Sequence, residues 1–290
     1  MIKLLAIDID GTLLNGNGSV SDRNRSVLEH AVRCGVKICI ATGRRLRDAL
    51  PVANSLGFDC FLITHNGALV RSLSSNETLF LKTIPAETVK IILELGKNTK
   101  GDALISCDPF GQGTLFYETI SEKNTALGRY LDWARGYHGE AAEQSVIHLP
   151  EIESVISSHT VIHISYSGDC QSMQDLMLRL QTNLGSQVAI LPTVYRQLDF
   201  TLIDVLPFGV SKGASLASLS EHLGIGREEI AAIGDNFNDL AMLEFAKFPF
   251  VMANADPELL ARTDFYKTSS NSQDGVARAV EKLLNFGEIK

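Results

Sequence analysis

The chain of 290 residues is poor in cysteine, and Cys34, Cys39, Cys60, Cys107 and Cys170 lie far apart with no CxxC spacing. That argues against a thiolate metal site and for reduced, buried thiols in apolar surroundings. Long Lys/Arg runs are also missing and the net charge is -8, which excludes a nucleic-acid partner held on a positive stripe. Any anionic substrate must therefore meet positive charge locally. No long apolar run is present: the stretch 4–9 is broken by Asp8, and no small-residue cleavage site follows Lys3. Neither a secretory leader nor a membrane span is expected, and the expected location is cytoplasmic. Internal repeats, low-complexity tracts and Pro/Ser-rich linkers are absent as well. What remains is 45% hydrophobic and 21% charged, enough apolar material for one large core or two.

Residues 2–9 form a short apolar, β-branched run closed by acidic residues and Gly11, the pattern of a buried parallel strand entering a functional loop. Over 22–34, Val27, Leu28, Ala31 and Val32 share one face of a predicted helix, and Gly35 supplies its stop. A strand over 36–41, a helix over 46–56, a strand over 60–64 and a turn at His65-Asn66-Gly67 continue the alternation. From about Ile84 the texture changes to polar stretches, Gly/Asp turns and isolated strands such as 157–166, with a helix over 172–184. Alternation returns after Val194, with strands over 200–205 and 230–233 and helices over 212–223, 239–245 and 274–284. The implied fold class is α/β: a doubly wound parallel-sheet, Rossmann-like core from residues 1–83 and 195–290, interrupted by an inserted mixed α/β cap over 84–194. Such a cap can close over a crevice, exclude water and select the leaving group, through residues that carry no readable motif.

Four segments follow or approach the C-terminal ends of predicted strands, where open parallel sheets build their binding crevice: 8–12, 42–44, Lys212 and 234–239. Asp8 ends a strand and Asp10 follows it by two, so both carboxylates can face one crevice while Gly11 permits the sharp exit. A carboxylate can attack phosphorus. Two of them at about 4 Å and an effective dielectric near 20 repel by roughly 4 kcal/mol, so positive charge is expected beside them. Gly234-Asp235-Asn236-Phe237-Asn238-Asp239 adds two more carboxylates, and a hard divalent cation such as Mg²⁺ turns the crowding into oxygen coordination.

Thr42 and the amide of Gly43 stand where a helix begins and suit a phosphoryl oxygen. Lys212 opens a helix whose dipole already makes that end positive, a placement that a bound anion relieves. Each segment also has a plain structural explanation. Asp-Gly is a common turn dipeptide, Thr42 and the Asn and Asp residues before 240–245 are ordinary helix caps, and Lys212 can simply face solvent. Arg44 faces either solvent or substrate. His159 and His163 share the four-residue step of a helical zinc motif but lack its Glu and lie in a strand-like run. They are expected to be satisfied or exposed histidines, like His65, His138 and His148. Phe110, Phe116, Tyr117, Tyr130, Trp133 and Tyr137 are expected in the core of the insert more than in a pocket.

Together the four segments resemble the signature of haloacid dehalogenase-like hydrolases, and the spacing of the insert resembles the Cof-type branch. The resemblance spans nearly the whole chain and continues through Val251-Met252-Ala253-Asn254-Ala255 and Asp274-Gly275-Val276-Ala277. It implies a Mg²⁺-dependent phosphatase in which Asp8 attacks and forms an aspartyl-phosphate. Asp10 is implied as general acid to the leaving oxygen and then as base to the incoming water. The resemblance further implies metal ligation by the carboxylates of Asp8 and Asp235 and the backbone carbonyl of Asp10, with Asp239 in support. Phosphate or substrate contacts are implied for Ile9, Thr42, Gly43, Lys212 and Asn238.

The implied substrate is a small phosphorylated metabolite such as a sugar phosphate, with no nucleic-acid or membrane partner. A phosphomutase would use the same Asp8 and Asp10 and return the phosphoryl group to a second hydroxyl. A catalytically silent metabolite-binding protein would keep the fold. Phospho-accepting signalling modules share an acidic, Lys-containing Mg²⁺ site on a doubly wound sheet but are far shorter and lack the insert. Where the family has Gly this chain has Ala253, and no role passes to that residue.

Overall fold

The computed structural model describes residues 2–97, 99–107, 113–122, 124–138 and 145–285. Short β-branched runs form β1 (Leu4–Ile7), β2 (Lys37–Ala41) and β3 (Phe61–Thr64). Their residues are almost all buried, the mark of strands inside a parallel sheet. A hairpin follows, β4 (Leu69–Ser72) and β5 (Thr78–Leu81). Next come β6 (Asp102–Cys107), β7 (Leu115–Tyr117), β8 (Val146–His148), β9 (Val161–Gly168), β10 (Val188–Tyr195) and β11 (Phe200–Pro207). The chain ends through β12 (Ile230–Gly234), β13 (Phe248–Val251) and β14 (Tyr266–Lys267).

Two compact units result, Met1–Leu81 with Ser211–Lys290, and Lys82–Val210. The first holds an eight-stranded sheet of order β14-β13-β12-β1-β2-β3-β4-β5. Strands β14 to β3 in that order run parallel, while β4 and β5 join antiparallel at the edge. That antiparallel hairpin departs from the all-parallel core expected from the alternation of strands and helices. Leu4, Ala6, Cys39 and Ile63 pack on Leu216, Leu219, Met242 and Leu243 from the helices Lys212–His222 and Leu240–Phe245.

The second unit holds a six-stranded sheet of order β10-β11-β9-β6-β7-β8, antiparallel except for β7 with β8. Alternation along its strands serves two cores. Ile105, Ile164, Tyr166, Ile203 and Val205 face the helices Ala86–Gly96 and Cys170–Leu184, whereas Leu104, Leu115 and Val146 meet Leu127, Leu131 and Ala134 of the helix Thr125–His138. Phe116 is buried, and Tyr117 and Tyr130 pack against these cores while Trp133 is half-exposed. Phe110 and the side chains of Tyr137 and His138 lie outside the described residues.

The expected return to the core at residue 195 is corrected to 211. The strand read over 200–205 is β11, and it pairs antiparallel with β10 from Tyr195↔Phe200 to Val188↔Pro207, and with β9 on its other side. Asp199 at φ 44° closes that hairpin. Likewise the boundary expected at 83 falls at 81. Among the described residues no helix is long and apolar enough to cross a membrane.

Candidate active site

In the first sheet β1 lies between β2 and β12, with Ile7 beside Ile233. The strand order therefore reverses at β1, and the register brings Asp8 and the Gly234-Asp235 segment to one edge, where open α/β sheets bind ligands. Past β1 the chain makes one wide turn: Leu13 N donates to Asp8 O at 3.1 Å and Leu14 N to Ile9 O at 3.0 Å. Gly11 (φ 81°) turns the chain inside it, and a Cβ there would lie 2.3 Å from Asp235 Oδ2. Only glycine meets both demands.

Lys212 is the most unusual residue of the site, a lysine 1% exposed at the start of its helix. Burying a lone ammonium is strongly unfavourable unless opposite charges surround it. Lys212 Nζ donates to Asp8 Oδ1 and to Asp239 Oδ1, each at 2.6 Å. Asp239 Oδ2 accepts from the amides of Asp235 (3.0 Å) and Asn236 (3.1 Å). Asp239 thus completes a capping box with Asn236 on the short turn Phe237–Asp239 and also anchors Lys212. Thr12 Oγ1 donates to Asp235 Oδ1 at 2.6 Å. These bonds leave the second oxygens of Asp8 and Asp235 for another partner.

Burial pushes the Asp8 carboxyl well above the usual carboxylate range, Asp239 adds to the rise, and Lys212 opposes it. Asp235 is pushed up to about 7, by burial first and Asp239 next. For Lys212 burial works against the charge, but Asp239 and Asp8 outweigh it and hold the ammonium above its usual range. Negative charge is in excess: the carboxylates of Asp8, Asp235 and Asp239 lie within 4.8 Å of one another. A hard divalent cation fits this all-oxygen donor set, with Asp8 and Asp235 as the side chains placed to hold it.

The other expected residues lie around this cluster. Asp10 stands apart from the acidic trio, its side chain 59% exposed. Arg44 grips it in a fork, Nε to Oδ2 at 2.8 Å and Nη2 to Oδ1 at 2.6 Å, which resolves where Arg44 points. Thr42 is buried and its Oγ1 accepts from Arg44 N at 3.1 Å. It does not cap the next helix, which begins at Leu46 after Arg45. Asn238 donates from Nδ2 to Asn66 Oδ1 at 3.0 Å. Ile9 is fully buried, so any ligand contact it makes comes from its main chain.

Sequence reasoning gave no role to Thr12, Asn66 or Asn254, whose Nδ2 donates to Gly11 O at 2.8 Å. Thr12 belongs to the segment 8–12, and Asn254 to the segment 251–255, for which the resemblance implied no residue role. In the second unit the histidine expectation holds: His163 Nε2 meets Asp204 Oδ1 at 2.9 Å, and the exposed His159 lies with its ring tilted 59° to that of Phe116.

A family model described as haloacid dehalogenase-like hydrolase matches residues 5–280. The chain belongs to the haloacid dehalogenase-like hydrolases. It falls in their Cof-type branch, and the relatives it matches make it a phosphatase. Among these is an HMP-PP phosphatase of Klebsiella pneumoniae, 30% identical over 90% of this chain and 88% of the relative. A 5-amino-6-(5-phospho-D-ribitylamino)uracil phosphatase of Bacillus subtilis is 30% identical over 98% of this chain and 99% of its own length. A solved haloacid dehalogenase-like hydrolase from Bacteroides thetaiotaomicron superposes with TM-score 0.78 at 25% identity, covering 98% of this chain and 100% of that one. The mixed α/β architecture is thus that of the family.

Proposed function

We propose that this phosphatase hydrolyses small phosphomonoesters through an aspartyl-phosphate on Asp8, with Mg²⁺ as cofactor. The observation that carries the reading is the buried Lys212 held between Asp8 and Asp239 at the point where strand order reverses. Lys212 opposes the burial that favours a protonated Asp8, and a bound cation would add to that pull toward the nucleophilic carboxylate. An Asp8 oxygen attacks phosphorus and the bond from phosphorus to the leaving oxygen breaks. Asp10 gives that oxygen its proton, then takes one from water as water attacks the acyl phosphate, releasing inorganic phosphate and restoring Asp8. Mg²⁺, held by Asp8, Asp235 and the Asp10 carbonyl, would neutralise charge on the phosphoryl oxygens. Thr42, the amides of Ile9 and Gly43, Lys212 and Asn238 serve as phosphoryl contacts, an electrostatic role that matters most in phosphoryl transfer.

The substrate class is a phosphorylated metabolite of modest size. A relative named for a phospho-ribityl uracil derivative supports a phosphate carried on a sugar or sugar-alcohol chain. Specificity is assigned to the inserted unit, since the core residues act only on the phosphoryl end. The low number of cysteines and the burial of Cys39 and Cys60 support a cytoplasmic setting. The test is hydrolysis of a generic aryl phosphate with product analysis. Free inorganic phosphate is expected in the presence of Mg²⁺, as is a loss of at least about 10³-fold in Asp8→Asn. Activity unchanged in Asp8→Asn, or in excess chelator, would refute the mechanism, and phosphoryl return to a second hydroxyl would make the enzyme a mutase.

A further inference from the structure

The turn after β3 does more than reverse the chain. His65 (φ 50°), Asn66 (φ 52°) and Gly67 (φ 113°) are three consecutive left-handed residues, all buried, and two of them are not glycine. Such backbone persists only where its surroundings fix it, and it gathers at functional sites. Here the fixing bonds run to the segments assigned to phosphoryl binding. His65 N donates to Arg44 O at 2.9 Å, and Asn66 N to Thr42 O at 3.0 Å. Ser215 Oγ, on the helix that Lys212 opens, donates to Gly67 O at 2.6 Å.

Two close approaches complete the picture. A Cβ on Gly67 would lie 2.4 Å from Ser211 O, and one on Gly43 would lie 3.1 Å from Asn66 Oδ1. The Asn66 side chain, 1% exposed, therefore sits against the Thr42-Gly43 turn on one side. Its Oδ1 accepts from Asn238 Nδ2 at 3.0 Å. One N–H of Asn238 is spent on this bond, which fixes the plane of that amide and leaves its second N–H for a ligand.

We propose that Asn66 is a positioning residue for phosphoryl binding, acting through Asn238. The proposal rests on the phosphatase reading, because Asn66 itself is assigned no contact with the reacting atoms. Asn66→Gly is the informative variant, since glycine keeps the left-handed backbone and removes only the amide. The full chain with Mg²⁺ and an aryl phosphate yields KM and kcat, and inorganic phosphate as competitive inhibitor yields an independent affinity. In Asn66→Gly both KM and the phosphate inhibition constant are expected to rise about tenfold, while kcat falls by less than about threefold, the pattern of lost ground-state binding. Added to Asn238→Ala, the same change is expected to cost under about twofold more, because the two residues act in series.

Should Asn66→Gly not fold, Asn66→Ser, too short to reach Asn238, carries the same expectations. Additive losses in the double variant, or a fall in kcat with KM and phosphate affinity unchanged, overturn the inference. Asp8→Asn assayed beside them separates the two levels. Turnover that needs Asp8 but ignores Asn66 sinks this inference alone, whereas turnover that ignores Asp8 sinks the phosphatase mechanism beneath it.

Discussion

Two buried clusters set a nitrogen base against carboxylates, one at the edge of the first sheet and one inside the sheet of the inserted unit. They differ in the number of carboxylates set against the base. In the insert, His163 on β9 faces Asp204 on β11, and Ser165 Oγ reaches Asp204 Oδ1 at 2.7 Å and His163 Nε2 at 3.0 Å. One base meets one carboxylate, and a hydroxyl bonds both. Because Ser165 and Asp204 both bond the same ring nitrogen, the trio is no relay for a hydroxyl nucleophile, which needs its acid on the other nitrogen. In the core, one ammonium faces three crowded carboxylates, and two of these, Asp8 and Asp235, are driven up in pKa. A buried base matched by one carboxylate reads as structure. Carboxylates crowded in excess around one base, with raised pKa values, read as a functional site.

Removing the base from each cluster should break the comparison open. Lys212→Met leaves Asp8 and Asp239 without their shared partner and takes a donor from the phosphoryl group. Aryl phosphate turnover is expected to fall about 10²- to 10³-fold, with about 3–5 kcal/mol lost in urea unfolding. Near-normal turnover would show that Lys212 is structural. His163→Phe leaves Asp204 bonded to Ser165, so a stability loss of about 1–3 kcal/mol is expected, with kcat for the aryl phosphate held within about twofold. A large loss of kcat would move that cluster from structure to chemistry.

The smallest effect concerns pH. Asp235 stands at about 7 against an ordinary 3.8, so its neutral form favours the fold. That contribution is whole below the unfolded value and is lost as pH rises through about 7. The metal-free protein should therefore weaken between pH 4 and 7, and Mg²⁺, which needs the ionised carboxylates, should restore more at pH 8 than at pH 5. A Mg²⁺-induced rise in Tm larger by several degrees at pH 8 is expected. Equal shifts at the two pH values would mean that Asp8 and Asp235 do not hold the cation.

What the sequence disclosed follows the range of its signals. Asp8, Asp235 and Lys212 were legible because each belongs to a short motif at a strand or helix end, and strand ends of a parallel sheet converge by construction. The fork between Arg44 and Asp10, the bond from Asn66 to Asn238 and the assignment of β11 to the insert were not. A buried run such as 200–205 looks alike in either sheet, and only pairing with β9 and β10 decides its place. Nor does spacing reveal that Asn238 will meet a residue 172 positions earlier. The buried pair Arg45–Asp48, with Nε to Oδ2 at 2.6 Å, lay within one helical turn and was still passed over, since the same spacing usually marks an exposed pair.

The most direct measurement is a chemical trap of the phosphoenzyme in Asp10→Asn, where the second half of the reaction should be slowed most. Acid quench after mixing with an aryl phosphate and Mg²⁺, followed by peptide mass spectrometry, should find one phosphoryl group on the peptide that carries Asp8, removed by hydroxylamine as an acyl phosphate must be. Steady turnover by the parent enzyme with no such adduct in the variant, or with the adduct on another residue, would contradict the assignment of Asp8 as nucleophile.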